Sequence, residues 1–348
     1  MRVLLGKDIN RKEWSRLVQS SSTGTWFQTP EAYEFFASMP ELFRPFVFAI
    51  ISKPESDSGS KNKETLRGVC VGYVTKEKNP IKQFFTRRAI IIGGPALADD
   101  CTDEEVIALM KAVREMLQSQ AIYVETRNFN DYSRWKGAFE AAGFEYQKHL
   151  NFHVDTSSVE VVEKNIHKSR KRDIKTSLRD GAVIIEKPSL VQVREFYQIL
   201  SQLYKTRVKT PLFPFPFFEK LWNQPYAHFL LVGKKNEQDK MCIIGGTINV
   251  GMDIKCLYEW FACGRDGEWR TIFPSSVATY AGIRYAAEHD MPRFDMMGAG
   301  KPDEAYGVRD FKARFGGKEV EYGRFLCIAK PFLYRIGVLG VKLLKAIK

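Results

Sequence analysis

Between Phe294 and Gly317 the chain reads FDMMGAGKPDEAYGVRDFKARFGG: a short apolar run, a glycine-punctuated loop and a short basic helix. Phe294 to Met297 suits a buried strand, and Gly298, Gly300 and Pro302 break it. From Tyr306 onward Val308, Phe311 and Phe315 recur at helical spacing, and Gly316 with Gly317 can end the helix in a left-handed conformation. This pattern turns Phe311 inward and leaves Arg309 and Lys312 on another face beside the loop. A cation next to backbone N–H groups that glycine leaves approachable suits the holding of an anion or a developing oxyanion. A lysine on a short helix is equally an ordinary solvated charge, so spacing alone leaves both readings open.

A second concentration of charge lies between Val159 and Asp180, which the pattern predicts as one helix stopped by Gly181. It carries Lys164, Lys168, Arg170, Lys171, Arg172, Lys175 and Arg179, with His167 beside them, over an apolar stripe of Val162, Ile166, Ile174 and Leu178. Several cations on one face, Lys168, Arg172 and Lys175 among them, can neutralise the phosphates of an RNA stem or of a lipid or nucleotide diphosphate. The competing reading is a solvated amphipathic helix.

The elements that must hold these residues alternate in two similar runs. The first has a strand at Val3 to Leu5 and helices at Arg11 to Gln19 and Pro30 to Ala37, the latter with Thr29 as its cap. Strands follow at Phe46 to Ile51 and Leu66 to Val74, flanking a polar segment from Lys53 that is expected to be a mobile loop. A strand at Arg88 to Ile92, a helix at Asp103 to Gln118, a strand at Ala121 to Thr126 and a helix at Trp135 to Ala142 complete the run. The second run contains the basic helix, a strand at Val183 to Glu186, a helix at Leu190 to Lys205 and a proline- and phenylalanine-rich stretch. Strands at His228 to Gly233, Met241 to Val250 and Lys255 to Ala262 then precede a helix from Ser275 or Ser276 to His289 and the strand opened by Phe294. Two α+β units are expected, residues 1–151 and 152–328, followed by a basic amphipathic tail, 329–348. In the tail Phe332, Ile336, Leu339, Leu343 and Ile347 mark one face and Arg335, Lys342, Lys345 and Lys348 another, a pattern that suits lying on an anionic membrane.

A chain of 348 residues is long enough for two cores. Its formal charge of +12 favours anionic partners. No apolar run is long enough to span a bilayer and the N-terminus lacks a signal-peptide core, so a cytoplasmic location is expected. The six cysteines show no metal or disulfide spacing. Walker, GxSxG and HExxH motifs are absent from the sequence, which gives kinase, serine-hydrolase and metalloprotease readings no foothold.

The FD, glycine loop, FK and closing FGG, with WFQTPEAYEFF from Trp26, GGPAL from Gly93, AAGFEYQKHLNFHVD from Ala141 and IHKSRKRDIKTSLRDGAVI from Ile166, resemble the FemABX-type transferases over most of the chain. These bacterial enzymes are built from two acetyltransferase-like (GNAT) domains. The resemblance implies an α+β fold of two tandem GNAT-like domains, each a mixed, mostly antiparallel sheet flanked by helices, with the tail packed on the first. It implies transfer of an acyl or aminoacyl group to an amine of a peptidoglycan precursor or another envelope glycan. Lys312 matches the family's FK lysine and becomes the catalytic candidate, with Phe311, Gly298 and Gly300 beside the substrate. Tyr204 and Arg207 are the nearest matches to the arginine region that reaches substrate phosphates. Where related proteins carry a phosphate-binding lysine in the helix after Thr29, this chain has Tyr33, Glu34, Phe35 and Phe36.

The same resemblance implies no tightly bound cofactor and a donor that is aminoacyl-tRNA or acyl-CoA. In GNAT enzymes a small-residue loop cradles the coenzyme A pyrophosphate; Arg265 begins such a loop here, but Glu268 and Arg270 stand where small residues are needed. The implied partners are a phosphorylated envelope precursor, tRNA and, through the tail, the inner face of the membrane. Two alternatives remain: an acyl-CoA-dependent N-acyltransferase acting on an amino sugar, and a catalytically silent GNAT pair that binds nucleic acid or anionic lipid.

Overall fold

The computed structural model describes residues 1–52, 64–77, 79–208 and 210–346; the polar segment from Lys53 to Lys63 lies outside them. The chain runs β1 (Arg2–Leu5), α1 (Arg11–Ser20), α2 (Pro30–Ala37), β2 (Phe43–Ser52), β3 (Thr65–Thr75), α3 (Pro80–Thr86), β4 (Ala89–Gly93), β5 (Ala96–Leu97), α4 (Asp103–Leu117), β6 (Tyr123–Asn128), α5 (Lys136–Ala141) and β7 (Glu145–Gln147). It continues with β8 (Leu150–Asp155), α6 (Val159–Asn165), α7 (Lys168–Arg179), β9 (Ala182–Ile185), α8 (Leu190–Leu203), α9 (Phe215–Trp222), β10 (Ala227–Lys235), β11 (Met241–Met252) and β12 (Cys256–Gly264). Last come α10 (Pro274–Glu288), β13 (Arg293–Asp295), α11 (Gly307–Ala313), β14 (Lys318–Glu321), β15 (Arg324–Ile328) and α12 (Pro331–Ala346).

Two units result, one from Met1–His149 with the chain from Tyr322 onward, the other from Leu150–Glu321. The second boundary differs from the sequence expectation of 328. Its cause is β15, which pairs with β6 (Leu326 opposite Glu125) and with β7 (Arg324 opposite Gln147) and so completes the first sheet. That sheet has the order β1-β2-β3-β4-β6-β15-β7, with β5 on β3, and α4 and α5 bury its apolar face. Within that core Phe139 stacks on Phe325 at a centroid distance of 4.0 Å, which ties β15 in. Local signals place the helices: Asn10 accepts from the N–H groups of Lys12 and Glu13, and Thr102 and Glu105 form a capping box on α4. The tail helix α12 belongs to this unit, its Tyr334 ring lying 5.5 Å edge-on from Tyr123 of β6.

The second sheet has the order β14-β8-β13-β12-β11-β10-β9. α6, α7 and α10 pack with its core residues Phe152, Ile174, Leu257, Ile283 and Phe294. The basic stretch expected as one helix is two, because the backbone is extended at Ile166 and His167 and the His167 ring accepts from Ser169 N to cap α7. α10 opens at Pro274 with Phe273 as its cap rather than Ser275 or Ser276, since the Ser276 hydroxyl is taken by Arg170. α8 gives way after Leu203 to a π-helical turn, Tyr204–Val208. Among the described residues, no helix is long and apolar enough to cross a membrane.

Candidate functional site

In each sheet one parallel strand pair sits near the middle, and the two pairs behave differently. In the first unit β4 and β6 stay in register from Ala89 with Val124 to Gly93 with Asn128. The buried Gln28 side chain reinforces that side by donating to the carbonyls of Val71 (3.0 Å) and Ile92 (2.9 Å). In the second unit β12 and β13 pair only at Leu257 with Phe294 and Tyr258 with Asp295. β12 then runs on to Gly264, paired with β11 on its other edge and bulged at Trp260. Bulges re-aim side chains and end pairing. Past Tyr258 the β13 side of β12 is therefore an open strand edge, and the signature residues gather where the two strands part.

Lys312 is buried there, 9% exposed, and its Nζ donates to the carbonyls of Met296 and, at 2.8 Å, Gly298. This corrects the sequence expectation that Lys312 lies on a face away from the packing, while Phe311 packs against the core as expected. α11 has only seven residues, and the carbonyls of the loop it faces satisfy an ammonium, which pays for burying the charge. Phe311 is half-buried, edge-on to Phe315 at 5.2 Å. Burial pulls the Lys312 ammonium below the usual lysine value, against the opposing pull of Glu259 and Asp295. Glu259, the first residue of β12 beyond the paired stretch, is buried and accepts from Thr279 Oγ1 at 2.8 Å. Burial pushes its carboxyl up, against the charge of Lys312 and the hydroxyls of Thr279 and Thr247.

The loop after β13 is wired from both sides. Asp295 Oδ1 accepts from Met297 N (2.8 Å) and Asn151 Nδ2 (2.8 Å), Asn151 Oδ1 accepts from Gly298 N (2.9 Å), and His153 Nε2 lies 3.0 Å from Asp295 Oδ2. Burial opposes the Asp295 carboxylate, but His153, Arg293 and Asn151 outweigh it and hold the group below the usual carboxylate range. Met297 takes φ +52°, a left-handed conformation costly for a methionine, and the bonds on either side hold it there. Arg309 donates to the carbonyls of Ala299 (3.1 Å), Lys301, Pro302 (3.2 Å) and Glu304 (3.1 Å). The sequence suggested glycines that leave N–H groups free for an anion. Instead the Gly298 N–H is spent on Asn151 and its carbonyl on Lys312, while Gly300, at φ +78°, has no room for a Cβ beside the Tyr306 ring.

The other candidates fall in two places. Tyr204 is half-buried close to Cys263 and Tyr306; burial, with those two neighbours, pushes its phenol up to about 12. Arg207 is exposed on the same π-helical turn. Lys168, Arg172 and Lys175 form an exposed stripe on α7, two residues out of phase with the buried stripe Arg170, Ile174 and Ser177. They face solvent on the side of α7 opposite the α11 contacts. Arg170, hidden in the basic run, is the member that reaches the site: its guanidinium lies over Phe311 (4.5 Å) and Phe315 (5.0 Å) and donates to Ser276 Oγ. Arg170, Glu259, Asp295 and Asn151 were not singled out from the sequence. Glu259 is the one signal available there, an acid inside the apolar run CLYEWFAC.

The start of α10 lies beside the end of β12, where a Cβ on Gly264 would come 2.4 Å from Ser275 N. Its donors are met from within the chain. Phe273 N donates to Ser177 Oγ (2.9 Å), Ser275 N to Asp266 Oδ1 (3.1 Å), and Ser276 N and Val277 N to the Phe273 carbonyl (3.0 and 3.1 Å). Asp266 thus supplies the anion that a helix N-terminus attracts.

Two α+β units in tandem, the second opened at its central parallel pair, make a GNAT-like fold similar to those of FemX and of a tandem GNAT protein. Residues 232–339, which include β12, the wired loop and Lys312, match the FemAB family. A search of curated proteins finds no match. Among solved structures the fold is similar to FemX (TM-score 0.69, 14% identity, 97% of this chain and 99% of that one). It is also similar to the C-terminal domain of a putative lysylphosphatidylglycerol synthetase from Agrobacterium fabrum (0.56, 13%, 94% and 96%). A third is a tandem GNAT protein from the clavulanic acid biosynthesis pathway (0.55, 9%, 94% and 98%).

Proposed function

We propose that this chain is a Fem-like transferase that moves an acyl or aminoacyl group to an amine of a peptidoglycan precursor or another cell-envelope glycan. The observation that carries the reading is the parting of β12 from β13, with Lys312 set between Glu259 and the wired loop at the point of separation. Acyl transfer to an amine needs donors for a tetrahedral oxyanion and accurate placement of two substrates, and an open strand edge supplies fixed N–H groups for the first. Lys312 is then a positioning residue that fixes the loop and sets a positive charge beside the edge. Tyr204 and Arg207 serve the substrate's phosphates at the open end, and the Lys168, Arg172 and Lys175 stripe serves a longer polyanion such as tRNA.

The donor favoured is aminoacyl-tRNA. A coenzyme A pyrophosphate needs the N–H groups at the start of the helix, and here Asp266 and Ser177 already engage two of them. Mass spectrometry of amine-bearing envelope precursors incubated with the protein and either charged tRNA or acyl-CoA tests this. Mass added only with charged tRNA supports it. Mass added only with acyl-CoA moves the amino-sugar N-acyltransferase to first place, and no transfer with salt-dependent RNA or lipid binding leaves the silent binding pair.

A further inference from the structure

α12 holds the first unit by one side and shows its apolar stripe on the other. Tyr334 meets Tyr123, while Phe332, Ile336 and Leu339, at helical spacing about half a turn away, are 75%, 39% and 59% exposed. α3 runs beside α12 and ends in two more exposed aromatics, Phe84 and Phe85, with rings 5.1 Å apart edge-on. Five large apolar side chains on two neighbouring helices make an apolar patch of a kind that marks an interaction surface. The two helices carry cations and no acid: Arg87 covers the Phe84 ring at 5.3 Å and Arg335 is exposed beside the α12 stripe, while the nearest carboxylates of α3's surroundings, Glu41 and Glu77, line a hollow with Gln83 and Arg87. The sequence has no acidic residue from Lys78 to Ala98 or from Tyr322 to Lys348.

We propose that α3 and α12 together form a docking surface for an anionic lipid bilayer, lying in the interface plane with Phe84, Phe85, Phe332 and Leu339 among the acyl chains and the cations among the headgroups. Exposed apolar side chains on two helices that carry cations and no acid fit such a surface, where headgroup attraction and apolar burial add. The α12 stripe alone offers one narrow ridge; α3 widens it into a plane and sets how the unit meets the membrane. This proposal rests on the first unit and is independent of the transfer reading.

Sedimentation with vesicles of phosphatidylcholine, with and without phosphatidylglycerol, tests it on the full chain. Wild type is expected to bind the anionic vesicles, and added salt to weaken binding. Replacing Phe84 and Phe85 by serine, or Phe332 and Leu339 by serine, should each weaken partitioning at least about tenfold. Arg335→Gln should weaken it roughly fivefold. All of these side chains are exposed, so the thermal midpoint serves as the control for folding. As a gain-of-signal check, bromine-labelled lipid should quench Leu339→Trp more than the native tryptophans. Failure of wild type to bind anionic vesicles, or binding that survives both serine pairs, overturns the proposal. So does lipid-free self-association that the serine pairs abolish, which would assign the face to a second copy of the chain.

Discussion

Lys312→Met removes the ammonium while keeping most of the stem, and its cost follows from what the ammonium holds. Two loop carbonyls lose their donor, and Glu259 keeps a buried carboxylate with no cation beside it. A buried acceptor left without its donor costs about 1–3 kcal/mol, and a buried carboxylate that loses its nearby cation adds to this. Glu259 can relieve part of this by taking up a proton, because burial has already pushed its carboxyl up, so a loss of about 3 kcal/mol is expected near neutral pH. The sign with pH follows: the loss shrinks as pH falls and Glu259 protonates. A denaturant-unfolding cycle of wild type, Lys312→Met, Glu259→Gln and the double variant measures it, with coupling of at least about 1 kcal/mol expected. A lysine on the outer face of a helix would be replaceable at no cost. An unfolding midpoint and slope equal to wild type for Lys312→Met would refute the buried arrangement and return Lys312 to the surface.

Asp295→Asn should flatten the acid limb of stability against pH: the group sits below its unfolded value of about 3.9, so its stabilisation is complete above that pH and is lost as pH falls through the folded pKa. Thermal melts from neutral pH downward check this. Asp266→Ala frees Ser275 N at the start of α10 and should give calorimetrically detectable pyrophosphate binding, whereas wild type should show no saturable acetyl-CoA binding. Changing Lys168, Arg172 and Lys175 together to glutamine should leave the unfolding free energy within about 0.5 kcal/mol of wild type and lower the salt slope of tRNA binding by roughly 2 to 3.

What the sequence disclosed depended on how local each cause was. Thr29 and Pro30 announce α2 at its observed start, because a cap and a first-turn proline act within a few residues. The order of strand, glycine loop and helix around Lys312 was legible for the same reason. The burial of Lys312 was not, since its acceptors are carbonyls sixteen and fourteen residues away, turned toward it by Met297 in a left-handed conformation. β15 has a local strand signal in the apolar run from Phe325 to Ala329, but the sheet it joins is set by the gap between β6 and β7, encoded far upstream. Arg170 was hidden by its neighbours: in a run of cations, only the helical phase fixed by the break at His167 decides which one turns inward.

β15 also has a consequence for how the chain is made. Because it fills the place between β6 and β7, the first sheet stays divided during synthesis until the entire second unit has left the ribosome. The second unit, continuous in sequence, can finish folding while its predecessor still shows two bare strand edges. An early stop anywhere between Leu150 and Glu321 would therefore damage the half of the protein already translated, and a nascent chain held before residue 324 should recruit holding chaperones through residues 123–147.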